Sequence, residues 1–195
     1  MIEYKRYDGT EPIESINAVI NISFWDVAEK KGIKFTHSKI SGQELINIAG
    51  NDGAIFIACD SDNGKVVGTL TVSMVSKRSC IYNGKTAKLR FVAVLPEYSR
   101  KGIASSLLDC GERFYEKSGA GLIYVQTPEK NHAALGFYAK NGYKRMEYRR
   151  AKDGHYYIGF VRVNGVAMLK CLFNYCKEYC REKAKSILKK SKKQL

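Results

Sequence analysis

The sequence lacks three features that mark common protein classes: a C-x-x-C motif, a histidine cluster and a hydrophobic run long enough to span a membrane. Three scattered histidines give no group of metal ligands, so no metal site is expected. The six cysteines lie mostly within strand or helix patterns. Reduced, largely buried thiols are therefore expected, and a disulfide framework is not.

Acidic residues are also scarce, with 19 aspartates and glutamates against 33 lysines and arginines, for a formal charge of +14. This balance favours anionic partners and says little about the fold. Residues 1–6 carry charges at once and have no apolar segment of the kind found in signal peptides, so a cytoplasmic location is expected. The length suits one domain, with or without an appendage.

The chain is organised around residues 89–115. Phe91–Leu95 is a continuous apolar run that Pro96 ends, which indicates a buried strand followed by a turn at residues 96–99. An apolar stripe with helical spacing follows from Gly102, so a helix begins there. The first turn of such a helix has unpaired N–H groups, and Arg100 and Lys101 precede it. This arrangement predicts a phosphate-binding site.

Neither G-x-x-x-x-G-K-[ST] nor G-x-G-x-x-G occurs in this stretch, which separates it from two other nucleotide-binding loops. The loop resembles the acetyl-CoA loop of the GCN5-related N-acetyltransferase (GNAT) family. Gly102 and Ala104 match its last two fixed positions. Ser99 stands where the family usually has glutamine or arginine, and Arg100 stands at a place that is often glycine.

The surrounding motifs follow the family order. Val-Ala-Val-Leu-Pro-Glu-Tyr precedes the loop, two leucines follow it, and Asn131 and the segment Gly-Phe-Tyr-Ala-Lys-Asn-Gly-Tyr at residues 136–143 lie downstream. The resemblance covers roughly residues 44–163. It implies a mixed α/β GNAT fold, with a mostly antiparallel mixed sheet, a splayed parallel strand pair and helices on both faces.

Local patterns predict the remaining elements. Ile2–Tyr7 alternates like a strand, a helical stripe runs from Ile13 to Val27, and Ser41 with Glu44 has capping-box spacing. Asn-Gly pairs predict two turns, at residues 63–64 and 83–84. Further expected elements are a strand at residues 122–125 parallel to the central one, a helix at 131–140 and a last hairpin at 143–163.

The resemblance implies that acetyl-CoA is the co-substrate and that Tyr138 is the general acid for the departing thiolate. The alternative for Tyr138 is an anchored ring with a satisfied hydroxyl. An N–H group of Val92 or Val94 would meet the oxyanion. The residues expected to contact the cofactor are Val92, Ala93, Val94, Ser99, Arg100, Lys101, Gly102, Ile103, Ala104, Ser105, Asn131 and Tyr138.

The general base and the acceptor stay open. Thr86–Leu95 contains no acid, and Glu97 lies in a turn where glutamate is usually solvated. Arg90 either meets a carboxylate or phosphate of the acceptor or faces solvent. The expected function is transfer of an acetyl group from acetyl-CoA to a primary amine of a small molecule or protein, directly within a ternary complex. The alternative is a non-catalytic acyl-CoA-binding regulatory module.

Residues 1–163 are expected to form the acetyltransferase domain, and residues 164–195 a C-terminal amphipathic helix with a basic tail. Residues 181–195 hold seven basic residues and one acidic residue. The apolar stripe either packs on the domain or contacts a second subunit, as in a homodimer. Docking of the tail on nucleic acid or a membrane surface is the remaining alternative.

Overall fold

A computed structural model describes residues 1–26, 40–75, 85–150 and 156–163. These residues form a seven-stranded sheet in the order β1-β2-β3-β4-β5-β7-β6. The β4–β5 pair is parallel, and every other neighbouring pair is antiparallel. The strands are β1 (Ile2–Arg6), β2 (Ala54–Asp60), β3 (Lys65–Val75), β4 (Thr86–Val94), β5 (Leu122–Pro128), β6 (Lys144–Arg150) and β7 (Tyr156–Val163).

Helices cover both faces of the sheet, as the family resemblance implied. Strands β2 and β3 are buried at almost every position, which requires cover on both sides. Helices α1 and α2 pack on β3 from one face, and helix α3 packs on β1 to β4 from the other. The helices are α1 (Ile13–Asn21), α2 (Gly42–Ala49), α3 (Ile103–Lys117) and α4 (His132–Lys140).

Several local sequence signals predicted the ends of elements correctly. Ser41 and Glu44 form the expected capping box at the start of α2. The turn between β2 and β3 closes with a 2.7 Å bond from the Gly64 N–H group to the Asp60 carbonyl, and Gly64 has a φ of 70°. Helix α3 begins directly after Gly102, as its stripe indicated. Of the described cysteines, Cys59 is buried and Cys110 half-buried.

Two regions differ from the sequence-based expectation. The helical stripe that starts at Ile13 is not one regular helix, because α1 ends at Asn21 and a π-helix follows at Ile22–Asp26. The segment at residues 96–98 is a short 3₁₀ helix where a simple turn was predicted. The turn at residues 83–84, the helix end at residue 27 and the C-terminal segment 164–195 lie outside the described residues.

The central strand β4 is both bulged and splayed. Its register with β3 shifts between the Thr71–Arg90 and Thr69–Ala93 pairs, so Phe91 and Val92 form a bulge, and Phe91 has a φ of 50°. Pairing of β4 with β5 runs from Thr86–Leu122 to Lys88–Tyr124 and then stops. Beyond that point the two strands diverge, which confirms the expected splayed pair.

Glycines bring α3 close to the sheet. A Cβ at Gly111 would lie 2.6 Å from Cδ2 of Leu70, and a Cβ at Gly68 would lie 3.1 Å from side-chain atoms of Ile103 and Leu107. This close contact fixes the start of α3 against β3, beside the C-terminal end of β4. No helix within the described ranges is long and apolar enough to cross a membrane.

The connection between α2 and β2 has no space for a side chain at Gly53. A Cβ there would lie 2.1 Å from the Ala49 carbonyl oxygen and 2.3 Å from that of Val72. We predict that Gly53→Ala lowers the free energy of unfolding by about 1–3 kcal/mol, because backbone must move to admit the methyl group. Urea unfolding measures this difference.

Gly136→Ala is the matched control. Gly136 lies within α4, and a Cβ there would meet nothing within 4 Å. This substitution should raise the free energy of unfolding by about 0.5–1 kcal/mol, because alanine favours the helix over glycine. Equal stability of Gly53→Ala and the wild type would show that the packing described for this connection is wrong.

Candidate functional site

The loop between β4 and α3 presents backbone N–H groups at the C-terminal end of β4. Arg100 has a φ of 60° and Gly102 a φ of 81°, so two residues of the loop are left-handed. Such conformations turn neighbouring N–H groups towards one side, which creates a concave site for anions. A Cβ at Gly102 would meet nothing within 4 Å, so the space above this residue is open.

The N-terminus of α3 completes this anion site. No described side chain caps the helix, and its first turn contains no acidic residue. The Ser106 N–H group makes the first helical bond, to the Gly102 carbonyl at 3.1 Å. The N–H groups of Ile103, Ala104 and Ser105 precede it and therefore have no intrahelical acceptor. They can bind a phosphate through the positive end of the helix dipole.

The two cations of the loop differ in their surroundings. The Lys101 ammonium lies 4.9 Å from the centre of the Tyr98 ring, and the Tyr98 hydroxyl donates a 2.7 Å hydrogen bond to Asp60. This contact anchors Lys101 at the rim of the loop. The Arg100 side chain is exposed. Ser99 stabilises the loop, because its hydroxyl donates a 3.3 Å hydrogen bond to the Leu95 carbonyl.

The end of β4 carries the residues that were predicted to contact the thioester. The Leu95 N–H group donates to the Val67 carbonyl of β3 at 2.9 Å. Backbone groups of successive strand residues point to opposite sides, so those of Val94 point away from β3. The Val94 carbonyl accepts a 3.0 Å hydrogen bond from the Ser23 hydroxyl of the π-helix. Val92 lies in the bulge, and Ala93 is buried.

Ser23 is a site neighbour that the sequence did not single out, whereas Phe24 belongs to the helical stripe that the sequence predicted. The Phe24 ring lies 6.3 Å from the Phe91 ring in an edge-on arrangement and 6.1 Å from the Trp25 ring. The π-helix therefore packs an aromatic cluster beside the bulge. The helical stripe showed that this region is apolar, but no local signal indicates that Ser23 bonds to residue 94.

Tyr138 lies in an aromatic cluster on the other side of the gap. It is 6% exposed, and its ring centre lies 5.3 Å from Phe137, 5.8 Å from Tyr143 and 5.7 Å from Phe160. Phe160 belongs to β7 and pairs with Val125 of β5. Burial raises the pKa of Tyr138 well above its ordinary value. The hydroxyl therefore stays protonated at neutral pH and is able to donate a hydrogen bond.

Tyr143 holds one side of this cluster. Its hydroxyl donates a 3.0 Å hydrogen bond to Glu112 of α3, and Arg162 of β7 donates to the same carboxylate oxygen at 2.8 Å. This three-residue contact ties α3, β7 and the end of α4 together. The aromatic ring packed on Tyr138 is thus fixed through a charged hydrogen bond.

Two further predicted or considered residues have other contacts in this structure. The Asn131 side-chain oxygen caps α4 by accepting from the Ala134 N–H group at 3.3 Å. Glu97 is 54% exposed and forms a 3.1 Å ion pair with Lys65. A hydrogen bond to its own backbone and this lysine lower the pKa of Glu97. A base with a lowered pKa removes protons less readily.

The geometry thus joins the two halves that the sequence placed apart. The loop and the start of α3 lie at the end of β4, and Tyr138 lies against β7, next to β5. Between them is the gap where β4 and β5 diverge. Residues 22–143 match the acetyltransferase (GNAT) family. This chain belongs to the GNAT family.

Solved structures share the fold at low sequence identity. The ribosomal-protein-S18-alanine N-acetyltransferase from Escherichia coli superimposes with a TM-score of 0.63 at 19% identity, over 84% of this chain and 94% of that one. The NatC complex bound to Gag peptide and CoA superimposes with a TM-score of 0.65 at 20% identity, over 84% of this chain and 98% of that one. A GNAT family acetyltransferase from Elizabethkingia anophelis with acetyl-CoA bound superimposes with a TM-score of 0.60 at 15% identity, over 84% of this chain and 98% of that one.

Because the backbone at Arg100 is left-handed, glycine and alanine variants at this position should differ in their free energy of unfolding. We predict that Arg100→Gly is more stable than Arg100→Ala by about 1 kcal/mol, because only glycine adopts positive φ without steric cost. Both variants lose the same cation, so charge does not contribute to the comparison. Urea unfolding without ligand gives the difference.

Arg113 of α3 supplies the control pair, because it lies in an ordinary helical position. There the order should reverse, with the alanine variant more stable by about 0.5–1 kcal/mol. If glycine is the less stable residue at position 100 too, the left-handed loop geometry is wrong.

Proposed function

We propose that this protein is an acetyl-CoA-dependent N-acetyltransferase that transfers the acetyl group directly to a primary amine within a ternary complex. One observation carries the proposal. Pairing of β4 with β5 stops at Lys88–Tyr124, and the gap beyond it opens beside the uncapped N-terminus of α3. A strand edge and an anion site adjoin there. Such a site fits a ligand with phosphates at one end and an extended amide arm at the other.

The residues present fit this cofactor. The N–H groups of Ile103, Ala104 and Ser105 would meet a pyrophosphate, with Arg100 and Lys101 close by. Gly102 leaves space above the loop, and Ser99 holds its shape. Asn131 would contact the arm through its amide nitrogen, because its oxygen caps α4. Residues 92–94 would contact the amide arm and the thioester.

Acetyl-CoA supplies an activated thioester and a thiolate leaving group. The chain must then stabilise negative charge on the reacting carbonyl, and a backbone N–H group at Val92 or Val94 is proposed for this role. Tyr138 donates a hydrogen bond to the departing sulfur. Its pKa is raised by burial, so it remains a proton donor over the neutral pH range.

The amine has to lose a proton before it attacks. An alkyl amine has a pKa of about 10.4, so only a small fraction is neutral at pH 7. Glu97 is paired with Lys65 and has a lowered pKa, which makes it a poor base. We propose that the proton leaves through ordered water instead. Glu97 then has a structural role, because its ion pair with Lys65 joins the β2–β3 hairpin to the segment that precedes the loop.

The loop cations should contribute to binding of the CoA phosphates and not to binding of the rest of the cofactor. We predict that replacing both Arg100 and Lys101 by alanine weakens CoA binding about ten- to hundredfold, because hydrogen bonds to charged groups contribute about 1.5–3 kcal/mol. Binding of pantetheine, which has no phosphate, should change little. Isothermal titration measures both affinities.

Lys117→Ala is the control, because this cation lies on the same helix at its far end. It should leave both affinities unchanged. An equal loss for CoA and pantetheine in the double variant would show that the cations do not bind phosphate.

The Tyr138 hydroxyl should matter for turnover and not for binding. We predict that Tyr138→Phe lowers turnover at least about tenfold, because general acids contribute that much or more, while CoA affinity is kept. A panel of amine acceptors, followed by release of free thiol, measures turnover. Tyr143→Phe is the control, because it removes a hydroxyl from the same aromatic cluster, one that is bonded to Glu112. This variant should keep its turnover.

Turnover that survives in Tyr138→Phe would remove this residue from the chemistry. CoA binding by the wild type without turnover of any amine would favour the non-catalytic acyl-CoA-binding module. Absence of CoA binding would contradict both functions.

A further inference from the structure

The face of the sheet away from α3 carries polar side chains beside the bulge of β4. Thr71 pairs with Arg90 and Ser73 with Lys88, so these four residues share one face. The opposite face is apolar, because Leu70, Val72 and Leu89 lie against Gly111 of α3. Ser73 is 6% exposed and Thr71 is fully buried. A core that served packing alone would have aliphatic residues here.

Arg90 is held in a defined orientation on this face. Its Nε donates a 3.1 Å hydrogen bond to the Ser73 hydroxyl, which donates in turn to the Lys88 carbonyl at 3.4 Å. Fixing Nε limits the rotation of the guanidinium group. The two terminal nitrogens then point in a fixed direction, and they are the pair that binds a carboxylate through two parallel hydrogen bonds.

The charge of Arg90 is not balanced by a neighbour in the described part of the chain. No carboxylate among the described side chains lies within ion-pair distance of its guanidinium. The pKa of Arg90 is lowered by burial. A half-buried cation without an anion is costly, and such a group beside a cleft is a candidate for binding an anionic ligand.

The position of Arg90 relates it to the acceptor. It directly precedes the bulge at Phe91 and Val92. Strand residues rise about 3.3 Å each, so Arg90 lies about 7–13 Å along the chain from Val92 and Val94, where the thioester is proposed to bind. Helix α3 covers the other face, and helices α1 and α2 cover part of the Arg90 face. The Arg90 side chain is itself only half-buried, so an acceptor can reach it from solvent.

We propose that Arg90, oriented by Ser73, binds a carboxylate of the acceptor, so that the substrate is an amino acid or small peptide with a free carboxylate near its amine. This inference rests on the proposed acetyltransferase function and adds the substrate class. Lys88 lies on the same face, and its ammonium lies 3.4 Å from the Gln126 side-chain oxygen and 5.7 Å from the Tyr124 ring centre.

The test compares matched acceptors on the CoA-binding protein. The panel contains amino acids and dipeptides, each as the free carboxylate and as the carboxamide, with phosphoethanolamine and ethanolamine as the phosphate pair. Shifts in melting temperature of the CoA-loaded protein report binding. Thiol release from acetyl-CoA reports turnover. Carboxamides contain the less basic amine, so a preference for carboxylates cannot come from easier deprotonation.

We expect at least one carboxylate to exceed its carboxamide about tenfold in kcat/KM. Arg90→Gln should remove this preference, lowering kcat/KM for the carboxylate about tenfold or more and changing that for the carboxamide less than about threefold. Arg90→Lys should lie between, because it keeps the charge and loses the paired hydrogen bonds. Arg113→Gln, which removes an exposed cation of α3, should behave as the wild type.

The outcomes separate this inference from the proposed function. If no carboxylate exceeds its carboxamide in binding or turnover, or if Arg90→Gln affects both equally, the inference is wrong while acetyl transfer stands. A preference for phosphoethanolamine over every carboxylate would also overturn it, in favour of a phosphorylated amine. Failure of the wild type to bind CoA would instead contradict the proposed function.

Discussion

The structure depends on the point at which β4 stops pairing with β5. Backbone N–H and C=O groups in a protein interior need partners, and a bulged, splayed strand leaves some of them without the ladder bonds of a regular sheet. At Val94 the carbonyl is satisfied by the Ser23 hydroxyl from the π-helix. The remaining strand edge adjoins the anion site of α3, so the same interruption that weakens the sheet creates room for an extended ligand.

Several contacts keep this interruption open. Gly68 and Gly111 let α3 lie close on β3, which fixes the helix start beside the end of β4. The contact of Tyr143 and Arg162 with Glu112 joins α3 to the strands on the far side of the gap. The left-handed residues Arg100 and Gly102 turn the loop so that its N–H groups face one side. These contacts position the elements that bound the gap on both sides.

The two faces of the sheet have different chemistry at this point. On the α3 side, leucine and valine side chains of β3 and β4 form a packed core. On the opposite side, Arg90 is hydrogen-bonded to Ser73, and the Thr69 and Thr71 hydroxyls are buried without a partner among the described residues. Buried polar groups of this kind cost stability, so their grouping beside the proposed thioester site is better explained by recognition than by packing.

Short-range signals in the sequence determined much of the fold. The Ser41–Glu44 capping box, the Asn63-Gly64 turn and the stripe of α3 each depend on residues within a few positions, and each appears in the structure. The start of the helix near Gly102 was predicted from the same stripe, and in the structure Gly102 is left-handed directly before the helix. The family resemblance rested on the same local motifs and was confirmed over residues 22–143.

Long-range contacts decided the rest. The insertion of β7 between β5 and β6, the bond from Ser23 to Val94 and the stacking of Lys101 on Tyr98, which itself bonds to Asp60, left no local signal. Arg90 shows the reason most clearly. Its sequence position allowed either solvent or a ligand, and only the register of β4 on β3 placed it beside Ser73 on the partly buried face, because pairing between strands depends on the whole sheet.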